Sequence, residues 1–215
     1  SYFKYYGLVK VLRINLDKRF LENIKIQNKI IEESNLPTIK SRRKFSHKGN
    51  YGHGLLIGGN KDMRGAIILA SKASIKSGVG KISVSLPKTY IEKLNTDLPE
   101  AMIHQMSKKI KSYDAIGIGP GMGTKKNAMN QLKNVLISRK ETPLLIDADA
   151  LNIISQNRDL LFLCKNAILT PHIGEFKRLC GSFESDEEKL EKQLEFSSKY
   201  QLTIILKGAH TSITN

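Results

Sequence analysis

From Gly54 onward the chain alternates short apolar runs with segments of helical periodicity, and this alternation constrains the fold more than any other feature. GLLIGG (54–59), Lys81–Leu86, Asp114–Gly117, Pro143–Asp147, Ala167–Leu169 and Leu202–Leu206 have the length and apolar character of buried strands. Between and after them, Gly65–Ser77, Thr124–Ser138, Ala150–Ser155, Glu175–Cys180 and Asp186–Tyr200 read as helices, and His210–Thr214 as a hairpin partner of the last strand. Apolar strands separated by helices define an α/β protein whose mostly parallel central sheet is covered on both faces.

Residues 1–45 differ in character. Leu21, Ile24, Ile30 and Ile31 lie near helical spacing, and Ser34–Pro37 stops the segment, which predicts one leading helix followed by the basic linker SRRKF. The first fifteen residues are open between a strand, a clasp on another subunit and a disordered arm. The expected organisation is therefore an N-terminal helix and linker over 1–45 and an α/β domain over 46–215. Apolar runs are too short to span a bilayer, SYFKYYGLVK makes a poor signal peptide, and Cys164 and Cys180 show neither metal-type spacing nor a disulfide framework. A cytoplasmic chain with no membrane partner is expected. The formal charge of +15 is spread along the chain apart from Arg42–Lys44, and no aromatic-studded RNA motif accompanies it. It reads as solvated lysines that help gather anionic nucleotides, not as a nucleic-acid surface.

In an open α/β sheet, ligands bind beyond the carboxyl ends of the strands. Five loops there carry candidate residues. Gly58–Gly59–Asn60, followed by the helix opening at Arg64–Gly65–Ala66, suits either an anion or a tight turn. The turn Gly119–Pro120–Gly121–Met122–Gly123 exposes successive amides suited to phosphate, although it is neither a Walker A loop nor a dinucleotide fingerprint. At Asp147–Ala148–Asp149, Asp147 is read as functional and Asp149 as the cap of the next helix. Thr170, His172 and Glu175 form the fourth loop, and Lys207–Gly208–Ala209–His210–Thr211 the fifth, with a charge and a hydroxyl for phosphate. His47–Lys48–Gly49 is a similar basic loop of open role. Together the five loops point to a nucleotide-like ligand.

HKGNYGHGLLIGG, RGAIILASKASIKSGVGKISV, AIGIGPGMG, LLIDADALN, ILTPHIGEFKRL and IILKGAHT occur in the order in which they occur in NAD(P)H-hydrate dehydratases. The chain resembles that family over about residues 40–214. The resemblance implies a three-layer α/β/α, ribokinase-like fold and dehydration of (S)-NADHX or (S)-NADPHX to NAD(P)H at the expense of ADP or ATP, with Mg²⁺. It implies that Ala66, Gly119, Gly121, Gly123, Asp147 and His172 line the substrate site, with Asp147 near the phosphates. Lys207, Gly208, Ala209, His210 and Thr211 would hold the adenine nucleotide, and a homo-oligomer is expected. The family's Gly-rich GNPGMATGGSGD loop, with the aspartate taken as general base, is not among the 215 residues. The catalytic residue is thus expected beyond Asn215, and a chain truly ending there is expected to lack catalysis and to expose a sheet face. The family's companion epimerase domain does not fit in the first 45 residues. The competing readings are another ribokinase-like kinase acting on a small hydroxylated substrate, and a catalytically inactive nucleotide-binding protein.

Overall fold

The computed structural model describes residues 12, 14, 16–24, 28–38, 41–105 and 110–215, which belong to two units, Ser1–Phe45 and Ser46–Asn215. In the first unit, helix α1 (Lys18–Asn23) is capped by Asp17, whose carboxylate accepts from the Arg19 and Phe20 amides at 2.7 and 3.1 Å. Ile24 is already extended, so the helix does not run on to Ile30 and Ile31. Those two are exposed in irregular chain before a 3-10 turn at Glu33–Asn35. β-Branched residues crowd the segment after Asn23, and they favour extended backbone over helix. The first fifteen residues, apart from Leu12 and Ile14, lie outside the described residues, as does the side chain of Leu21.

The second unit runs β1 (His53–Ile57), α2 (Arg64–Lys76), β2 (Lys81–Ser85), α3 (Ile91–Asp97), β3 (Met102–Ile103), β4 (Ala115–Ile118), α4 (Lys126–Ser138) and β5 (Leu144–Ile146). It continues with α5 (Asp149–Gln156), β6 (Ile168–Leu169), α6 (Ile173–Cys180), α7 (Asp186–Tyr200), β7 (Thr203–Leu206) and β8 (Ser212–Thr214). The strands form one sheet in the order β3-β2-β1-β4-β5-β6-β7-β8, parallel throughout except for the β7–β8 hairpin. This is the α/β architecture that the alternation requires. α3 and β3 carry no sequence signal of their own, because seven and two residues are too few to display a period.

Strand alternation sends successive side chains to opposite faces. On one face Leu55, Ile57, Ile118, Ile146 and Leu169 are fully buried in a core shared with α4 to α7, where Leu132, Leu151 and Phe176 are equally buried. Each such side chain contributes about 1.5–3 kcal/mol by leaving water. On the other face Leu56, Ile82 and Val84 pack with Ile67 and Ile68 of α2 and Leu94 of α3. The same face continues through the register Gly117–Leu145–Ile168, where Leu145 and Ile168 are 39% and 36% exposed, and Ile213 on β8 is 50% exposed. Helices therefore cover the first face along the sheet, but the second chiefly over β1 and β2. No helix among the described residues is long and apolar enough to cross a membrane.

The strand order also fixes where a ligand belongs. β2 and β3 are laid down on one side of β1, and β4 to β8 on the other. The carboxyl ends of β1 and β4 therefore flank the point where the winding reverses, the standard crevice of an open α/β sheet.

Candidate functional site

The glycine loop after β4 fills that crevice. At Gly119, with φ 130°, an added Cβ would lie 1.8 Å from the Asp147 carbonyl oxygen. At Gly121, with φ 64°, it would lie 2.3 Å from the Met63 carbonyl oxygen and 3.2 Å from the Ala66 Cβ. The Gly123 amide donates to Asp149 Oδ2 at 2.8 Å. The loop is thus wedged between the start of α2 and the end of β5, and it brings Ala66, Gly119, Gly121, Gly123 and Asp147 together. Backbone packing alone demands glycine at 119 and 121, so the number of glycines is not in itself the mark of a ligand.

Asp149 does not cap α5, contrary to the sequence reading. Ala148 holds the cap position at φ 50° and ψ −123°, without a side-chain cap, so Asp149 enters the first helical turn and its carboxylate turns to the glycine loop. That backbone conformation favours glycine and costs an alanine on the order of 1–3 kcal/mol. The strain sits between two aspartates at a strand end, the position where such outliers accompany function.

Beyond β5, the predicted residues gather at three neighbouring strand ends. Lys207 Nζ donates to Asp147 Oδ1 at 2.8 Å, the lysine side chain being 45% and the aspartate 28% exposed. The Lys207 amide donates to the Pro171 carbonyl at 2.8 Å, and His172 bridges Lys207 in parallel register. The Thr170 amide donates to the Ile146 carbonyl at 3.1 Å, tying β6 to β5. His172 caps α6: its Nδ1 accepts from the Gly174 amide at 2.9 Å, and its own amide donates to Glu175 Oε2 at 2.9 Å. This reciprocal arrangement is a capping box with histidine in the usual Ser/Thr place. With Nδ1 an acceptor, the neutral ring carries its proton on Nε2, which lies 3.6 Å from Glu175 Oε1 on a half-exposed side chain. Lys207–Thr211 forms the exposed turn joining β7 to β8, with Gly208 beside Ile173 at the start of α6.

A cavity of about 1220 Å³ opens on the other side of the switch point, at the carboxyl ends of β1, β2 and β3 and along α4. Gly58, Gly59, Asn60 and Gly123 line it, whereas Ala66, Asp147, His172 and Lys207 do not. It is also lined by Lys88, His104, Asn127, Asn130 and Asn134, none of which the sequence reading singled out. The asparagines did carry a signal, since positions 127, 130 and 134 fall on one helical face. His104 carried none, because it follows the unanticipated β3. The His47–Lys48–Gly49 loop lies elsewhere. An added Cβ on Gly80 would meet the Lys48 carbonyl oxygen, and the Gly80 amide donates to the Tyr51 carbonyl at 2.9 Å. That loop therefore packs at the amino ends of β1 and β2, away from the ligand end.

Comparison with known proteins finds relatives of this fold and sequence. The family model for NAD(P)H-hydrate dehydratase matches residues 54–215. An ADP-dependent (S)-NAD(P)H-hydrate dehydratase from Staphylococcus aureus is 35% identical over 190 residues, covering 85% of this chain and 68% of that protein. A bifunctional NAD(P)H-hydrate repair enzyme from Coxiella burnetii is 30% identical over 218 residues, covering 97% of this chain and 44% of the relative. Among solved structures, a ribokinase-like superfamily protein from Enterococcus faecalis superposes with a TM-score of 0.74 at 33% identity, covering 82% of this chain and 64% of that one. The ADP/ATP-dependent NAD(P)H-hydrate dehydratase from Bacillus subtilis, co-crystallized with ATP/Mg²⁺, gives 0.67 at 32% identity, covering 82% and 65%. The chain thus spans between 44% and 68% of the length of these relatives. A family model matching three quarters of the sequence, on a sheet whose glycine loop and strand-end residues fall where the motifs place them, assigns the chain to the NAD(P)H-hydrate dehydratase family.

Proposed function

We propose that this chain binds an adenine nucleotide and a hydrated nicotinamide dinucleotide at the carboxyl ends of its strands, and serves the ADP- or ATP-dependent dehydration of (S)-NADHX or (S)-NADPHX. The observation that carries the reading is the juxtaposition of Lys207, Asp147 and His172 at three adjacent strand ends, beside the exposed Lys207–Thr211 turn. The ring hydroxyl of the hydrate is a poor leaving group. Transfer of the terminal phosphoryl group of ADP to that oxygen forms an O–P bond and breaks the phosphoanhydride, releasing AMP. Cleavage of the C–O bond then releases phosphate, and loss of a proton from the adjacent ring carbon to water restores the double bond of the NAD(P)H ring. Phosphoryl transfer rests on positioning and charge neutralisation, and Lys207 supplies a charge whose present partner is a solvent-accessible carboxylate. The turn amides from Gly208 to Thr211 are available to phosphate oxygens, and the half-exposed His172 ring, whose Nε2 faces Glu175 Oε1 at 3.6 Å, stands beside Lys207 as a polar wall for the substrate.

No group of three or more metal-ligating side chains occurs among the described residues. That donor set fits a Mg²⁺ carried in on phosphate, with Asp147 as its carboxylate at the site, better than a protein cage. When bound, the ion would neutralise phosphoryl oxygens. The test is a pair of measurements: calorimetry of ADP and ATP with Mg²⁺, and recovery of reduced-nicotinamide absorbance from purified NADHX. Nucleotide binding weakened at least tenfold by Lys207→Ala, together with absorbance recovery that needs the nucleotide, supports the reading. No nucleotide binding at millimolar concentration and no recovery with either nucleotide would sink it.

A further inference from the structure

The cavity over β1 to β3 adjoins the strand-end loops but is not formed by the residues that the phosphoryl chemistry uses. Its walls are of two kinds. Leu86, Pro87, Ile91, Ile103 and Met122 give it an apolar part of the kind on which a planar base packs. Asn127, Asn130 and Asn134 present a row of amides along one side of α4, and Lys61, Lys88 and Lys125 bring three positive charges against the single carboxylate of Asp62. A solvated helix face would ordinarily be filled by strong helix formers such as Lys, Glu and Ala, and asparagine is among the weaker ones. α4 carries no acidic residue at all, so its only charges are the positive ones of Lys126 and Lys133. An amide side chain offers a donor and an acceptor side by side, the complement of the adenine N6/N7 edge, while lysine ammonium groups suit phosphate.

We propose that this cavity takes the adenosine half of the dinucleotide substrate, the α4 amides reading the adenine and Lys88 and Lys125 holding its phosphates. The proposal rests on the functional reading above, in which the glycine loop lines the substrate site, and Gly123 is shared by loop and cavity. A volume of about 1220 Å³ exceeds the range of about 300–1,000 Å³ usual for small-ligand sites, so a nucleotide fits with water to spare.

NADP⁺, which carries the same adenosine half without the reactive hydrate, is the probe. Its affinity is measured by calorimetry on the wild-type chain, on the double variant Asn130→Ala/Asn134→Ala and on Lys88→Ala/Lys125→Ala. Asparagine to alanine raises helix propensity at exposed positions, so the first variant keeps its fold. The expected result is NADP⁺ binding weakened at least tenfold in both variants, with ADP·Mg²⁺ affinity and melting temperature unchanged. NADP⁺ affinity within twofold of wild type in both variants would overturn the proposal, as would ADP binding without any NADP⁺ binding. Variant-sensitive NADP⁺ binding without ADP binding would remove the earlier reading and leave this one standing. Failure of both ligands overturns both.

Discussion

If the glycines of the 119–123 loop are there for packing, replacing one must damage the fold before it damages a ligand site. Gly119→Ala is the sharpest case. Its Cβ would sit 1.8 Å from the Asp147 carbonyl oxygen and 2.8 Å from the carbonyl carbon, and the backbone is at φ 130°. No rotamer relieves this, because the obstacle is the main chain of β5's own continuation. The disfavoured backbone costs roughly 1–3 kcal/mol, and forcing the neighbouring strand end aside about 1–3 kcal/mol more. A loss of about 4 kcal/mol, at roughly 2–4 °C per kcal/mol for a unit of this size, lowers the melting temperature by about 8–16 °C. Gly65→Ala is the control: it lies in the first turn of α2, with nothing within 4 Å of an added Cβ. There alanine should be neutral or stabilising by about 0.5 kcal/mol. Thermal and urea unfolding of both variants, followed by circular dichroism, decides the matter. A Gly119→Ala protein that melts within 2–3 °C of wild type (about 1 kcal/mol) and fails only to bind nucleotide would refute the packing argument and return the loop to a purely ligand-driven role.

Four further outcomes follow from the geometry. Ala148→Gly removes the strain at φ 50° and should raise stability by about 1 kcal/mol, the strain relief being partly offset by glycine's greater freedom in the unfolded chain; urea midpoints with an unchanged slope check it. Leu169→Ala, at a fully buried position, should cost about 2–5 kcal/mol, while Ile168→Ala on the open face should cost under about 1 kcal/mol; equal costs would mean that something covers the outer face of β6. His53 is held below its ordinary pKa of 6.5 by burial and by Lys81, against the pull of Asp114, so the unfolded chain binds its proton more readily than the folded one. Stability should therefore be full above about pH 6.5 and decline as pH falls below it, and His53→Gln, which can keep the bond to Ser83, should flatten a melting profile taken between about pH 5 and 8. Burial pushes the Cys164 thiol up to about 12, and raises that of half-buried Cys180 as well; Ellman's reagent should titrate Cys180 slowly in the native protein and Cys164 only on unfolding.

The fold was legible where a period had room to repeat. α4 and α7 complete three or more turns, and β1 and β2 are long enough to show their apolar character, so each was found to within two residues or so. α3 and β3 were not legible, because their placement comes from contacts: Leu94 is buried against α2, and Met102–Ile103 exists as a strand through its register with Ser83–Val84. In the N-terminal segment, helical spacing of isoleucines misled, since Ile30 and Ile31 stay exposed and an apolar stripe holds a helix only where it is packed. At the site, residue types were readable but their partners were not. Nothing in the string DADALN says that Ala148 takes a strained backbone, and it is this that frees Asp149 from capping and directs it to Gly123. The pairing of Asp147 with Lys207 spans sixty positions and depends on β5, β6 and β7 lying side by side.

That pairing bears on how a nucleotide would be received. A lysine and an aspartate exposed to 45% and 28% are well solvated, so their contact is worth no more than about 0–1 kcal/mol. Charge-assisted hydrogen bonds to phosphate are worth about 1.5–3 kcal/mol each. Exchanging Asp147 for a phosphate oxygen is therefore favourable for Lys207, and it costs the fold little, because β5 and β7 are held by their ladders with β6 and not by the pair. Asp147 would be released in the same step, next to the phosphate whose charge repels it, which is where a phosphate-borne Mg²⁺ resolves the repulsion. A buried version of the same pair would behave oppositely. Breaking it would strand a desolvated charge at a cost of about 3–5 kcal/mol, and the nucleotide would have to supply that before binding at all. Under the proposed function, partial exposure at the strand ends is thus the property that would let the pair act as a placeholder for phosphate.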